Sequence, residues 1–302
     1  MDAVLLALAA VWGAVTGLLI PRAAYRFAVE PGEPWRRACP AGHPFTGPAR
    51  GWLGPARCAA CADAAPQPYG RTGEEAPGQD RTHDEAQAQA HGRVGDEPPA
   101  GVSGGIEAGR DAGARRAAPG TRPYAPGVVA PMVTVLACVA LAAANGARPE
   151  LAGWLVLAPV AVLLATVDRR VHRLPDPLTL PLAGATVSVL GVAALVPGHA
   201  GSWTSGLLGG AALGGFYLLL FLINPNGMGF GDVKLALALG VALGWYGWTV
   251  LFLGGFAGFL FGAVYGSGLV LLRRAGRRTG IPFGPFMITG ALTGLLLGAL
   301  AA

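Results

Sequence analysis

Charge is what this chain has least of. Charged residues occupy 13% of its 302 positions, against about 25% in a typical soluble domain. One residue, Lys234, is the whole lysine complement, and the other 21 positive charges are arginine. The formal net charge of +5 does not read as a nucleic-acid footprint, because the arginines stand beside the ends of apolar runs, as in the positive-inside pattern. Cysteine is also scarce, with four residues. Cys39, Cys58 and Cys61 share one polar segment and Cys138 lies alone in an apolar run, which excludes a disulfide framework. Cys138 reads as a small buried hydrophobe. From residue 128 onward the acids thin to Glu150, Asp168, Asp176 and Asp232. What fills the chain instead is apolar: 53% hydrophobic residues and a mean hydropathy of +0.49. The class is a polytopic membrane protein surrounded by lipid, with an all-α transmembrane bundle and no nucleic-acid partner.

Residues 1–20 read as a first transmembrane helix. Ala3 to Ile20 is apolar, lacks a basic start, and is followed by Arg22, Arg26, Arg36 and Arg37, which suits a retained helix better than a cleaved signal. Residues 21–63 form a polar loop with Cys39-Pro-Ala-Gly-His43 and Cys58-Ala-Ala-Cys61. Residues 64–125 are rich in Gly, Ala, Pro, Gln, Glu and Arg, with almost no large aliphatic side chains. Such a composition buries too little to offset ordering entropy, so this stretch is expected to be a disordered linker. Residues 126–302 then hold seven apolar runs, near 128–145, 150–167, 177–197, 206–223, 232–247, 249–272 and 284–301.

Eight helices with the N-terminus outside place loops 21–127, 168–176, 224–231 and 273–283 in the cytoplasm. Those loops collect nearly all the arginines, whereas the outside loops hold only Arg148. The even count puts the C-terminus outside as well. Glu150 then falls in an external loop, while Asp168, Asp176 and Asp232 lie at cytoplasmic helix ends.

Asp168 closes one apolar run and Asp232 opens another, inside Asn224-Pro-Asn-Gly-Met-Gly-Phe-Gly-Asp-Val-Lys-Leu235. Two carboxylates on separate helices at one depth can share a proton: one serves as general base on a water while the other, protonated, polarises a carbonyl. Glycines at 227, 229 and 231 let backbone approach a substrate strand closely. From the residues alone three readings stay open: an aspartyl pair, solvated or helix-capping acids, and ion-coupling groups of a transporter.

The stretch Gly227-Met-Gly-Phe-Gly-Asp232-Val-Lys234-Leu resembles the signature of type IV prepilin peptidases, membrane aspartyl proteases of the Gly-x-Gly-Asp class. Asp168-Arg-Arg-Val-His-Arg-Leu-Pro175-Asp176-Pro-Leu-Thr179 is similar to the family's other aspartate motif, and Ile281-Pro-Phe-Gly-Pro285-Phe to its stretch at the last helix. The resemblance implies Asp168 and Asp232 as catalytic residues, with Gly229, Gly231, Lys234 and Asp176 as substrate or support positions. Asp176 reads as the cap of the helix starting near Leu178. Lys234 either holds a negative charge near the pair or extends to the interface. The resemblance further implies a multi-pass protein of the cell (inner or plasma) membrane, working at the cytoplasmic face on leaders of type IV prepilins or pseudopilins. Proteolysis of this kind needs no cofactor.

Family members commonly carry paired Cys-x-x-Cys motifs that bind zinc in the first loop. Here Cys58 and Cys61 keep one pair, while Gly42 stands at the second position of the other, beside His43. Cys39, His43, Cys58 and Cys61 are either a Cys3His zinc set or free thiols. Many members also methylate the mature pilin N-terminus with S-adenosylmethionine. In Gly13-Ala-Val-Thr-Gly17-Leu-Leu-Ile-Pro21-Arg-Ala-Ala-Tyr25-Arg26 the Gly and Tyr-Arg elements are present and the family's Asn is absent, which together with the altered cysteine set speaks against that activity. The competing functions are an ion-coupled transporter, which would carry repeats and midplane acids that this sequence lacks, and a non-proteolytic homologue acting in pilus or secretion assembly.

Overall fold

A computed structural model of the chain describes residues 3–30, 32–55, 57–58, 60–61, 127–225, 227–272 and 282–302. They belong to one compact unit spanning 1–63 and 121–302. The expected linker 64–125 and the basic stretch 273–281 lie outside the described residues.

Eight long helices carry the described fold: α1 Ala3–Phe27, α2 Val129–Asn145, α3 Glu150–Val171, α4 Asp176–Ala193, α5 Trp203–Ile223, α6 Phe230–Trp245, α7 Trp248–Leu271 and α8 Gly284–Ala301. Six of them (α1, α3, α4, α5, α7 and α8) are long and apolar enough to cross a membrane, and α2 is apolar but shorter. The chain is therefore an all-α multi-pass membrane protein. Among the described residues the breaks between helices fall where backbone or capping chemistry demands them. Gly146 (φ 59°) ends α2, and Gly247 (φ 103°) separates α6 from α7. The Ser202 side chain accepts from Ser205 N–H at the start of α5.

Helix α6 is the pillar of the second half. It packs against α4, α5, α7 and α8, and 11 of its 16 residues are buried. Membrane helices gain little hydrophobic drive from one another, so they associate through close backbone approach at small residues. Gly240 supplies this against α5: a Cβ there would lie 2.5 Å from Gly209 O and 2.9 Å from Gly210 Cα. On the other side α1, α2 and α3 pack on one another. Large apolar side chains such as Leu8, Phe252 and Leu300 point outward, where the hydrocarbon of a bilayer receives them.

Three local expectations change. Helix α1 does not stop at Ile20; it continues through Pro21 to Phe27. The reason is that Arg22 and Arg26 are buried by the following loop: Arg22 donates to Thr46 O (2.8 Å), Arg26 to Arg36 O (3.0 Å), and the Arg26 guanidinium stacks 3.8 Å over Trp52. Glu150 is not a loop residue. It is the first residue of α3 and fully buried, its Oε1 accepting from Ala200 N–H at 3.1 Å. On either side of Glu150 in sequence, Asn145 accepts from the Tyr246 hydroxyl and Trp154 Nε1–H donates to that hydroxyl, tying α2, α3 and the end of α6 together at one pole. The third change, at Asp176, belongs to the other pole, where α3 ends and α6 begins.

Candidate active site

Helix α3 ends because His172 adopts the left-handed conformation (φ 50°) with its N–H on Asp168 O at 2.8 Å. This fixes Asp168 in the last turn, 4% exposed. One carboxylate oxygen, Oδ2, accepts from Gly284 N–H at 3.0 Å. Gly284 is the first residue of α8, so the amide is one of the helix-terminal donors that have no partner within the helix. The glycine is also a steric requirement, since a Cβ on it would stand 2.8 Å from that same Oδ2.

Asp232 lies in the first turn of α6, 8% exposed. Its Oδ2 accepts from Gly229 N–H at 3.3 Å, the reciprocal half of a capping box. The two carboxylates therefore share a construction. Each is buried, each has Oδ2 held by one glycine amide, and Asp168 lies within electrostatic reach of Asp232. Tyr217 of α5 is buried, lies within electrostatic reach of Asp232, and stacks on Phe259 with ring centroids 5.5 Å apart.

The supporting positions sort by geometry. Gly231 receives the buried Leu174, because a Cβ on it would sit 2.8 Å from Leu174 Cβ. Gly229 has only ordinary clearance there, 3.7 Å to Asp232 Oδ2, so its bareness is not consumed by packing. Asp176 is not the cap: Pro175 holds that position and Asp176 is the first residue of α4. It forms an ion pair with Lys234, Oδ1 to Nζ, at 2.7 Å. That replaces the expected cap, and it shows where the lone lysine points: to Asp176, with its Nζ 4.9 Å over the Phe230 ring. Two contributors were missed from sequence. Gly284 lay within a motif already singled out, but an amide donor has no side-chain signature. Tyr217 lies in an unremarkable apolar run and left no signal. Replacing Gly284 by alanine should push the Asp168 carboxylate off its amide.

In the first loop, Cys39, His43, Cys58 and Cys61 come together with their ligand atoms all within 4.8 Å of one another. A tight turn, Cys39 N–H to His43 O (2.9 Å) and Gly42 N–H to Cys39 O (2.9 Å), presents the first two. Cys39 Sγ is 3.7 Å from Cys61 Sγ and 3.6 Å from His43 Nδ1. None of the four cysteines forms a disulfide. Burial pushes the Cys39 thiol up, but hydrogen bonds from the Ala41 and His43 backbone, joined by the His43 and Cys61 side chains, outweigh it and bring it down to about 7. Burial and the neighbouring sulfurs push Cys61 up to about 11.

Fold and site together define a polytopic helical membrane protein built around two buried aspartates on separate helices. Residues 155–267, which contain both, match the model of the type IV leader peptidase family and form a domain of that kind. The chain is similar to proteins named prepilin leader peptidase/N-methyltransferase. The protein from Aeromonas salmonicida (strain A449) is 37% identical over 163 residues, 48% of this chain and 51% of that protein. The one from Aeromonas hydrophila is 36% identical over 186 residues, 56% and 58%. The one from Bacillus subtilis (strain 168) is 37% identical over 97 residues, 32% and 38%. The chain thus spans about half the length of the first two relatives. No solved structure is significantly similar to it.

Proposed function

We propose that this protein is an aspartic endopeptidase that removes the leader of type IV prepilins or pseudopilins, with Asp168 and Asp232 as the catalytic pair. The observation that carries the reading is the matched construction of the two carboxylates: both buried, each with one oxygen engaged by a glycine amide and the other without a hydrogen bond from the described residues. Two close carboxylates in such surroundings share one proton. The ionised member takes a proton from water as the water oxygen attacks the scissile carbonyl, while the protonated member gives its proton to the carbonyl oxygen; on collapse of the gem-diol the first member passes its proton to the leaving nitrogen and the second recovers one from the diol, restoring the pair. Which residue holds the proton is a property of the pair.

A cavity of about 640 Å³ lies alongside, lined by apolar side chains from α2, α3 and α8, with Arg169 and Pro285 in its wall. These two residues adjoin Asp168 and Gly284. Neither aspartate lines the cavity, which is an apolar surface beside the helices that carry them. The test is cleavage of a prepilin from the same cell by purified protein in detergent. Leader removal by wild type, lost on Asp168→Asn and Asp232→Asn, is the expected result; a wild type that cuts no prepilin overturns the reading. The same mass spectra decide methyl transfer, which the names of the relatives raise: with S-adenosylmethionine present, a product heavier by one methylene assigns that second activity.

The charge pattern supports a cytoplasmic placement of this pole, in the cell membrane, with both termini outside. The Cys/His cluster fits a structural zinc ion. Sulfurs bound at about 2.3 Å in a tetrahedron stand roughly 3.8 Å apart, which is the spacing of Cys39 and Cys61. When bound, the ion would cross-link the loop that covers Arg22 and Arg26, and it takes no part in hydrolysis. Elemental analysis of protein purified without chelator should find one zinc per chain, with Cys58→Ser and His43→Ala each reducing it several-fold. Zinc-free wild type with four titratable thiols would make the cluster a plain thiol site.

A further inference from the structure

The connection between α3 and α4 is four residues, 172–175, in which the functional end of one helix is handed to the next. Asp168, whose carbonyl holds His172 N–H, precedes it, and Asp176, the first residue of α4, follows it. Between them Leu174 turns inward, 5% exposed, and seats against Gly231. At the far end Asp176 meets Lys234, one turn beyond that glycine on α6. Asp232 lies between the two contact points in sequence. The strap that follows one aspartate is thus fastened on both sides of the other.

The two fasteners differ in kind. Leu174 on Gly231 is a contact of shape: it sets how closely the strap approaches α6 but permits sliding. The ion pair is a contact of position, since a 2.7 Å Nζ–Oδ1 distance fixes a point on α4 against a point on α6. Lys234 is 15% exposed in its side chain and Asp176 62%, so the lysine is the member with most to lose. An exposed ion pair alone contributes little, but a mostly buried ammonium deprived of its carboxylate must find another or move.

We infer that Lys234 and Asp176 form a positioning latch that sets the separation of Asp168 and Asp232. This rests on the reading of Asp168 and Asp232 as the catalytic pair. Neither latch residue touches the reacting atoms.

The test reads separation and turnover independently. In the full-length chain, Asp168→Cys with Asp232→Cys is treated with a short bifunctional methanethiosulfonate, and the linked peptides are quantified by mass spectrometry. The measurement is repeated with Lys234→Met, with Asp176→Asn, and with the exchange Lys234→Asp plus Asp176→Lys. Linking should fall several-fold in each single variant and recover in the exchange. On the native aspartates, the single variants should lower kcat for leader cleavage by about tenfold, as expected for an ångström-scale misplacement, with KM little changed; the exchange should restore kcat. Unchanged linking and kcat in the single variants overturns the latch. So does an exchange variant as impaired as the singles, since the charges would then matter separately. Cleavage that survives Asp168→Asn and Asp232→Asn defeats the catalytic reading instead, and leaves the linking result to decide the geometry.

Discussion

Asparagine at Asp168 or at Asp232 is expected to lower prepilin cleavage by roughly 10³-fold, within the range for loss of an acid–base group. The size of the effect follows from what asparagine keeps. Its amide oxygen can still accept from Gly284 N–H or Gly229 N–H, so the local hydrogen bonds at 3.0 and 3.3 Å persist. Its volume is that of aspartate, so neither Leu174 nor α8 has cause to shift. What disappears is the ability to ionise and to carry a proton. Neither remaining carboxylate can play both parts, so the two single losses should be nearly equal, and the double variant no worse than either. The measurement is single-turnover cleavage by protein whose thermal midpoint matches wild type. Activity within an order of magnitude of wild type in either variant would remove that residue from the chemistry.

The second large effect concerns stability. Leucine at Gly240 should destabilise the bundle by about 2 kcal/mol or more, in the manner of an overpacked core. The added side chain has to enter where Gly209 O and Gly210 Cα already stand within 2.9 Å of a Cβ. Backbone cannot rotate out of the way as a side chain can, so α5 and α6 must separate. Gly215 provides the control on the same partner helix, because a Cβ there meets nothing within 4 Å. Gly215→Leu should leave the midpoint of thermal denaturation in detergent where it was, while Gly240→Leu lowers it. Equal midpoints for the two variants would mean that α5 and α6 are not held by this approach.

How much of this was legible in the sequence depends on the kind of signal. The eight apolar runs were visible because lipid-facing and core-facing positions are both apolar, and the break at Gly247 could be placed. The reach of α1 beyond Ile20 could not be seen, because arginines near the end of an apolar run usually mark the water interface. Here Arg22 and Arg26 are covered by the loop that follows. Glu150 was misplaced for the same reason: an acid between two apolar runs looks solvated unless the partner, Ala200 N–H, fifty residues away, is known. At the site, Asp168 and Asp232 were readable from motif and spacing. The pairing of Lys234 with Asp176 rather than with Asp232 was not, since it depends on how α4 meets α6 and both acids are near in sequence pattern. The Gly284 amide is a backbone group and leaves no trace in side-chain chemistry.

The brevity of α6 has a consequence for the surrounding bilayer. Sixteen residues rise about 24 Å, some 6 Å less than a typical hydrocarbon layer. A helix that faced lipid would have to thin the membrane or draw in flanking residues to accommodate that mismatch. Helix α6 faces protein instead, and the helices with more lipid-facing surface, α5 and α7, are 21 and 24 residues long. Bilayer thickness is thus matched by the outer helices, while the aspartate at the start of α6 is free to sit at a depth of its own.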